Sequence, residues 1–554
     1  MFEEVERFLF GEMEKRQVPG FSVAIVKDQS IVWSKGFGYA NQQKKKLATP
    51  ETVYRVASVS KPVITTGLLQ WVDKGRLNLD DPVNNLMKDV KIRTAFKEQP
   101  TVRNLLSHTS GLPVHVDPVC FDLNETISLE KLIGDSAITV QPPNTEIVYS
   151  NTAFNIVGYL IGLFAGDSYP KYMEEALFKP LEMNSSSFEQ KPSIVGLMAQ
   201  PYSRKKPGEP IEAVPQWYGA STPEKPCGSL LTTVIDLGHY LIAQMNEGVY
   251  NGKRILMEKT MKEMHKLQSA AGTSRSGHAL SWKRSWHHGR LMLSHTGGNL
   301  GWTAHVAFYP QLKTGIIILT NLNDNTNWRP PARQALHIAV GGTLTFDPMS
   351  FKPKRVPKRW ESLVGEYTRQ FQKAQIAIKE GNLVLEEEEN RYYLEELGKT
   401  RYLIHGGYND GLELTFELDK KGITKQFDLE TEVFPRRVED TRPVEENADL
   451  RGRWHGNYVT SYGYFTMDLK IESPSNAHVT DFMNIVRTFS NFRAERGVVS
   501  GNFAFKNLPE YVGWGAKEFK AELELKALEE KLEGQLKLTS EIGETVIPIV
   551  LSKA

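Results

Sequence analysis

Tyr54-Arg-Val-Ala-Ser-Val-Ser-Lys61 runs into Pro62-Val-Ile-Thr-Thr-Gly-Leu-Leu-Gln-Trp-Val72, and the reading of this junction decides the fold. Val63, Leu68, Leu69 and Val72 fall near helical spacing. Pro62 fits only the opening turn of such a helix, where a missing N–H costs little. Ser58 is therefore expected at a buried helix N-terminus, with Lys61 one turn on and on the same face. Ser-x-x-Lys also occurs at Ser128–Lys131, Ser168–Lys171 and Ser203–Lys206, but those pairs sit in polar, turn-rich segments with no apolar helix behind them. Taken alone, Ser58 would read as an ordinary N-cap serine and Lys61 as a solvated lysine.

Two further motifs change that reading. Tyr149-Ser-Asn151 and His295-Thr-Gly-Gly298 follow in chain order. A serine hydroxyl is a poor nucleophile unless a neighbour takes its proton, and Lys61 is spaced to hold that hydroxyl. Tyr149 can serve as partner base where cations stabilise its phenolate. Asn151, two residues on, points the same way as Tyr149 if the segment is extended, and can orient substrate or Lys61. The glycines after Thr296 let backbone approach a substrate closely. An edge-strand N–H there, with the Ser58 N–H, would make an oxyanion hole. The three motifs together predict acyl transfer by a serine hydrolase.

With Leu105-Leu-Ser-His-Thr-Ser-Gly-Leu-Pro113 and Gly228-Ser-Leu-Leu-Thr-Thr-Val-Ile-Asp236, these motifs resemble the class C β-lactamase and DD-peptidase superfamily, and more narrowly its broad "CubicO" group of D-aminopeptidases, peptidases and carboxylesterases. The resemblance covers about residues 1–345 and implies a β-lactamase/penicillin-binding-protein-like α/β sandwich with an inserted helical region. It implies Ser58 as acylated nucleophile, Lys61 and Tyr149 as acid/base partners, and Asn151, His295 and Thr296 as substrate contacts. Gly298 would donate an oxyanion N–H beside that of Ser58, and no cofactor or metal is implied. Two departures stand out. His295 replaces the lysine usual in β-lactamases, and a histidine is charged only part of the time near neutral pH, which disfavours β-lactam carboxylates against esters, amides and short peptides. Pro143-Asn144 replaces Pro-Gly, which alters a turn.

At 554 residues the chain is expected to hold two to four domains. Its 67 basic and 66 acidic residues argue against nucleic-acid or membrane-surface binding. The expected partner is a small-molecule or short-peptide substrate, with homo-oligomer formation left open. Cys120 and Cys227 make neither a disulfide framework nor a metal site, and Cys227 reads as a small buried residue. No Gly-x-Ser-x-Gly, His-Glu-x-x-His or phosphate-loop motif occurs, and His287-His288 reads as an exposed pair. The start of the chain lacks the pattern of a signal peptide; Phe2, Val5, Leu9 and Met13 mark one helix face instead. The longest apolar stretch, 156–165, is too short to span a bilayer. A cytoplasmic protein is expected, with a processed secreted form left open.

Hairpin strands are expected at 21–26 and 31–38, a second strand pair at 304–309 and 314–320, and a closing helix at 330–340. A catalytic domain of 1–345 would then meet a linker at 346–354. Beyond it the apolar period falls from 3.6 to 2. Ile376/Ile378 and Leu383/Leu385 flank a turn at 380–382; Leu412 to Leu418 and Ile423 to Leu429 flank another. After a break near 441–446, alternation resumes at Phe465/Met467/Leu469/Ile471, Leu523/Leu525 and Leu536/Leu538. Residues 355–440 and 441–554 are thus expected to form two antiparallel, lipocalin-like β-barrels, a layout resembling D-aminopeptidases of the superfamily. A barrel loop reaching the Ser58 pocket and barrels packed aside are both compatible with this layout.

Overall fold

The computed structural model describes residues 2–94, 96–112, 128–139, 141–145, 147–204, 209–216, 226–270, 272, 274–299, 301–323, 328–344, 355–369, 372–387, 390–436, 449–460, 463–480, 486–496, 498–505, 519–528, 531–540 and 543–553. Cys120, Pro113, the 346–354 linker and the break near 441–446 lie outside the described residues. Two compact units emerge. One holds the sheet and helices below together with Ile376–Val433; the other is centred on Phe434–Ala554.

In the first unit, α1 (Phe2–Arg16) precedes the hairpin β1 (Gly20–Lys27) and β2 (Ser30–Asn41). The helices α2 (Ser60–Asp73), α3 (Asn151–Ala165) and α4 (Val234–Met245) follow. Then come β3 (Lys283–His287), β4 (Arg290–Asn299), β5 (Trp302–Tyr309), β6 (Thr314–Thr320) and α5 (Arg329–Ala339). The long strands lie side by side in the order β3-β4-β5-β6-β1-β2, extended by short strands at both edges into a nine-stranded sheet. β1 is central, pairing antiparallel with β6 from Phe21↔Thr320 to Lys27↔Thr314 and with β2 on its other side.

A central strand buries both faces, so it reads as a nearly unbroken apolar run. Its period of two nevertheless sorts the side chains. Phe21, Val23 and Ile25 enter the core that holds Val5 and Leu9 of α1 and Leu336 of α5. Ala24 and Val26 enter the core of Val63 and Leu68, Ile156 and Leu160, and Leu237 and Leu241. The sheet is thus sandwiched between α1/α5 and α2/α3/α4. The expected hairpins, the N-terminal amphipathic helix, the buried helix after the tyrosine motif and the closing helix are all present; the second hairpin strand runs on to Asn41 and the buried helix begins earlier, at Asn151. Among the described residues no helix is long and apolar enough to cross a membrane.

The two C-terminal sheets are nearly closed antiparallel barrels, as the alternating pattern predicts. The first runs through eight strands in sequence order, from Gly365–Arg369 to Glu432–Pro435, and a bridge between Tyr367 and Arg436 joins its edges. The expected turn at 380–382 places Glu380 and Gly381 at φ +53° and +82°, the left-handed pair that a two-residue hairpin demands. In the second sheet the two edge strands, Val486–Thr488 and Ser490–Glu495, are separated by Phe489 alone, so one nearly continuous strand completes the ring.

The reading of His287-His288 as an exposed pair fails. His287 is fully buried and His288 is largely covered, with a side chain 17 % exposed. His287 Nδ1 lies 2.5 Å from the Tyr309 hydroxyl and Nε2 3.2 Å from the Asp410 carbonyl. His288 Nε2 is 3.3 Å from Asp410 Oδ2. The cause is non-local: the end of β3 bridges Leu412 of the first barrel, and the His288 N–H donates to the Gly411 carbonyl. Neighbouring sequence does not disclose such a partner.

The barrel grips this end of the sheet elsewhere too. Arg275 meets Glu413 through two hydrogen bonds. Glu430 lies among Lys283 (3.4 Å), Arg329 (3.6 Å) and Arg333 (3.2 Å). Burial opposes the charge on Glu430, but Lys283, Arg333 and Arg329 outweigh it and hold the carboxyl below its usual range. Glu430 keeps φ +55°, a backbone state that favours glycine or asparagine; the three ion pairs account for a glutamate there.

Candidate active site

Ser58 sits in a 3₁₀ turn, Ala57–Val59, that leads directly into α2, so the helix begins at Ser60. Pro62 falls in its first turn, as expected. Ala57 takes φ +46°, which costs an L-residue roughly 1–2 kcal/mol. Several bonds hold the turn in that state. The Ser60 hydroxyl donates to the Ala57 carbonyl (2.6 Å) and accepts from the Leu230 N–H (3.1 Å). The Val56 N–H donates to the Leu230 carbonyl (3.0 Å). Lys61 Nζ, fully buried, donates to Ser58 Oγ at 3.0 Å and to the Cys227 carbonyl at 2.9 Å. Segment 227–230 therefore braces both the nucleophile turn and its lysine. Cys227 is buried, as expected, and contributes its backbone oxygen.

Tyr149 arrives from the other side. Ser150 is the N-cap of α3, its hydroxyl accepting from the Ala153 N–H (3.1 Å), a bond worth about 1 kcal/mol. Asn151 is consequently the first helical residue. Ser150 itself is extended, so the chain runs straight from Tyr149 until the helix begins at Asn151. The Lys61 nitrogen stands 4.9 Å from the centre of the Tyr149 ring and 5.5 Å from that of Phe154. Asn144 takes φ +64°, the left-handed state in which asparagine replaces glycine at least cost.

The third motif lies on β4, which pairs with β3 only as far as Ser294. From His295 onward its outer edge is open to the Ser58 turn. A Cβ on Gly297 would fall 2.0 Å from the Val56 carbonyl oxygen and 3.1 Å from the Ser58 nitrogen. Gly297 is thus the residue that lets strand and turn touch, while Gly298, next along, is exposed. His295 is buried, its ring centre 6.3 Å from that of Tyr149, with Nδ1 2.7 Å from the Thr296 carbonyl. Burial, with Lys61 nearby, pushes its pKa down to about 3 against the opposing bond to Thr296. The sequence-based expectation of a partly charged histidine is corrected: His295 is neutral at pH 7 because its ring is desolvated.

Ser58, Lys61, Tyr149 and His295 therefore share one site, with Asn151, Thr296 and Gly298 next to them in sequence. Motif reading missed two side chains that line it. His108 stacks on Tyr149, with ring centres 4.3 Å apart, and His278 meets His108 edge-on at 5.1 Å. Both are held neutral by burial, His278 down to about 3 and His108 well below the ordinary value. His108 lay within a quoted motif, whereas the sequence around His278 carried no signal for its place beside His108.

A buried lysine on a serine, a tyrosine and a strand edge are the groups that serine acyl transfer requires. The chain belongs to the Beta-lactamase family, whose model matches residues 5–340. Solved structures that share the fold include a D-amino acid amidase, a class C β-lactamase and EstCE1, a hydrolase with promiscuous acyltransferase activity. The chain is 27 % identical over 331 residues to "Protein flp" of Staphylococcus aureus strain N315, across 58 % of this chain and 63 % of that protein's length. The octameric penicillin-binding protein homologue from Pyrococcus abyssi superposes with a TM-score of 0.55 at 23 % identity, covering 78 % of this chain and 99 % of that one. The D-amino acid amidase from Ochrobactrum anthropi SV3, complexed with L-phenylalanine, gives 0.53 at 20 %, covering 62 % and 99 %. At these identities the structures report a shared fold.

Proposed function

We propose that this protein is a serine hydrolase working through an acyl-enzyme on Ser58, acting as a peptidase or aminopeptidase-like amidase on short peptides, including those with D-amino acids. The observation that carries the reading is the 3.0 Å bond from Lys61 Nζ to Ser58 Oγ on a strained turn. In the acylation step Ser58 Oγ bonds to the substrate carbonyl carbon, and its proton passes to Lys61 or Tyr149. The same pair returns a proton to the leaving nitrogen as the C–N bond breaks. The N–H groups of Ser58 and Gly298 would receive the oxyanion, as the close approach at Gly297 supports. Water then attacks the ester with the same base and releases the acid. Asn151, His295 and Thr296 would hold the substrate.

A neutral His295 supplies no fixed cation for a substrate carboxylate, which supports uncharged amides and esters over β-lactams. It equally supports a second reading, a carboxylesterase with weak β-lactam hydrolysis. A non-catalytic binding or assembly protein on this scaffold, the third reading, leaves the strained turn and the buried lysine without a purpose. Hydrolysis of a short-chain aryl ester, a D-alanyl anilide and a chromogenic cephalosporin, each with wild type and Ser58→Ala, separates the three. The proposal expects the anilide to be preferred and all turnover to vanish in the variant. Preference for the ester selects the second reading, and activity persisting in Ser58→Ala overturns the first two.

A further inference from the structure

Three bonds knit the segment around His108 to the segment that delivers Tyr149. The Val148 N–H donates to the His108 carbonyl (2.8 Å), and the Asn144 N–H donates to the Thr109 carbonyl (2.8 Å). The third uses a side chain: the Ser150 N–H donates to His108 Nδ1 at 3.1 Å. Val148 and Ser150 flank Tyr149, so both backbone neighbours of the tyrosine are tied to one residue. The His108 ring also covers the tyrosine ring nearly parallel, at 26° between planes. His108 itself is fully buried and takes φ +59°, a state in which asparagine is the least strained of the larger side chains. Nothing in the acyl-transfer chemistry described above uses this ring.

We propose that His108 is a positioning residue for Tyr149, fixing the phenol against Lys61 through its bond to the Ser150 N–H and its stacked ring. Because Nδ1 accepts that bond, the ring proton resides on Nε2, and the ring is neutral. Lys61, Tyr149, His278 and His295 all face it, so a second ring proton would add a cation beside Lys61 and remove the acceptor from Ser150. The hydrogen bond and the stacked ring are separable, since a phenyl ring at this position keeps the second and removes the first. The inference rests on the reading of Tyr149 as an acid/base group.

The test uses the full-length protein and a fluorophosphonate probe, whose attack on Ser58 is followed as a saturating rate and a half-saturating concentration. Three variants are compared. His108→Phe keeps a stacked ring and removes the acceptor. His108→Asn restores an acceptor near Nδ1 and suits the left-handed backbone. Tyr149→Phe removes the phenol. The expected result is a saturating rate about tenfold to a hundredfold lower in His108→Phe, with the half-saturating concentration within about twofold. His108→Asn should recover most of that loss. Equal rates in all three His108 forms overturn the inference, as does an equal loss in both variants that matches a fall in folded fraction by circular dichroism. An undiminished rate in Tyr149→Phe is a different failure, that of the acid/base reading itself.

Discussion

The Ser58 site and the second barrel are built on opposite rules. The site concentrates exceptions: Ala57 and His108 at positive φ, a buried lysine, a strand that only glycine lets through, and histidines stripped of water. The second barrel, by contrast, repeats one rule, alternation. Leu523 and Leu525 on one strand and Leu532 and Leu536 on the next all enter a single apolar core. Exceptions cost stability and persist where geometry is needed for chemistry. Alternation needs only volume and register. Substitutions in the two places should therefore fail in different currencies, activity in one and stability in the other.

The largest expected effect sharpens a third case, the charged seam of the first barrel. Glu430→Gln leaves Lys283, Arg329 and Arg333 without their buried carboxylate and should destabilise the first unit by about 4 kcal/mol, read from urea unfolding. In the second barrel, Leu523→Ala should cost about 3 kcal/mol in the same experiment while leaving turnover per folded molecule unchanged. A fall in turnover would break the comparison. Gly297→Ala should do the reverse. Its new Cβ meets the Val56 carbonyl, and a displacement of about 1 Å at the Ser58 turn should lower kcat/KM about a hundredfold, equivalent to about 2.7 kcal/mol.

The last expectation is a pH slope, stated as a direction. His265, His278 and His295 are each pushed by burial to about 3 in the folded protein, from 6.5 unfolded. Between those values the unfolded chain binds protons that the folded chain refuses. Stability is therefore fully present above pH 6.5 and declines as the pH falls toward 3. The urea midpoint should drop steadily from pH 7 to pH 4, and a flat profile would contradict the burial of these rings.

Much of this was legible in local sequence. The i, i+3 spacing of Ser58 and Lys61, the apolar face of α2 and the alternation of both barrels follow from neighbours a few residues apart. What escaped was set by distant partners. The Cys227 carbonyl that holds Lys61 is 166 residues away, and the histidine that stacks on Tyr149 comes from another loop. The charge of His295 depended on burial that a pattern of residue types does not carry. The helix that starts at Asn151 is set by the Ser150 hydroxyl, a cap that the motif reading passed over. His287 and His288 were misjudged because their partner, Asp410, belongs to the first barrel. Closure of the barrels, likewise, depends on edges that meet only in three dimensions.

The central claim is an ester bond on Ser58. Mixing the protein with an activated aryl acetate, quenching in acid and mapping the digest by mass spectrometry tests it directly. The account predicts one acetylated peptide, the one carrying Ser58, and no acetylation in Ser58→Ala. An adduct on another residue, or hydrolysis of the ester with undiminished rate in Ser58→Ala, would contradict it.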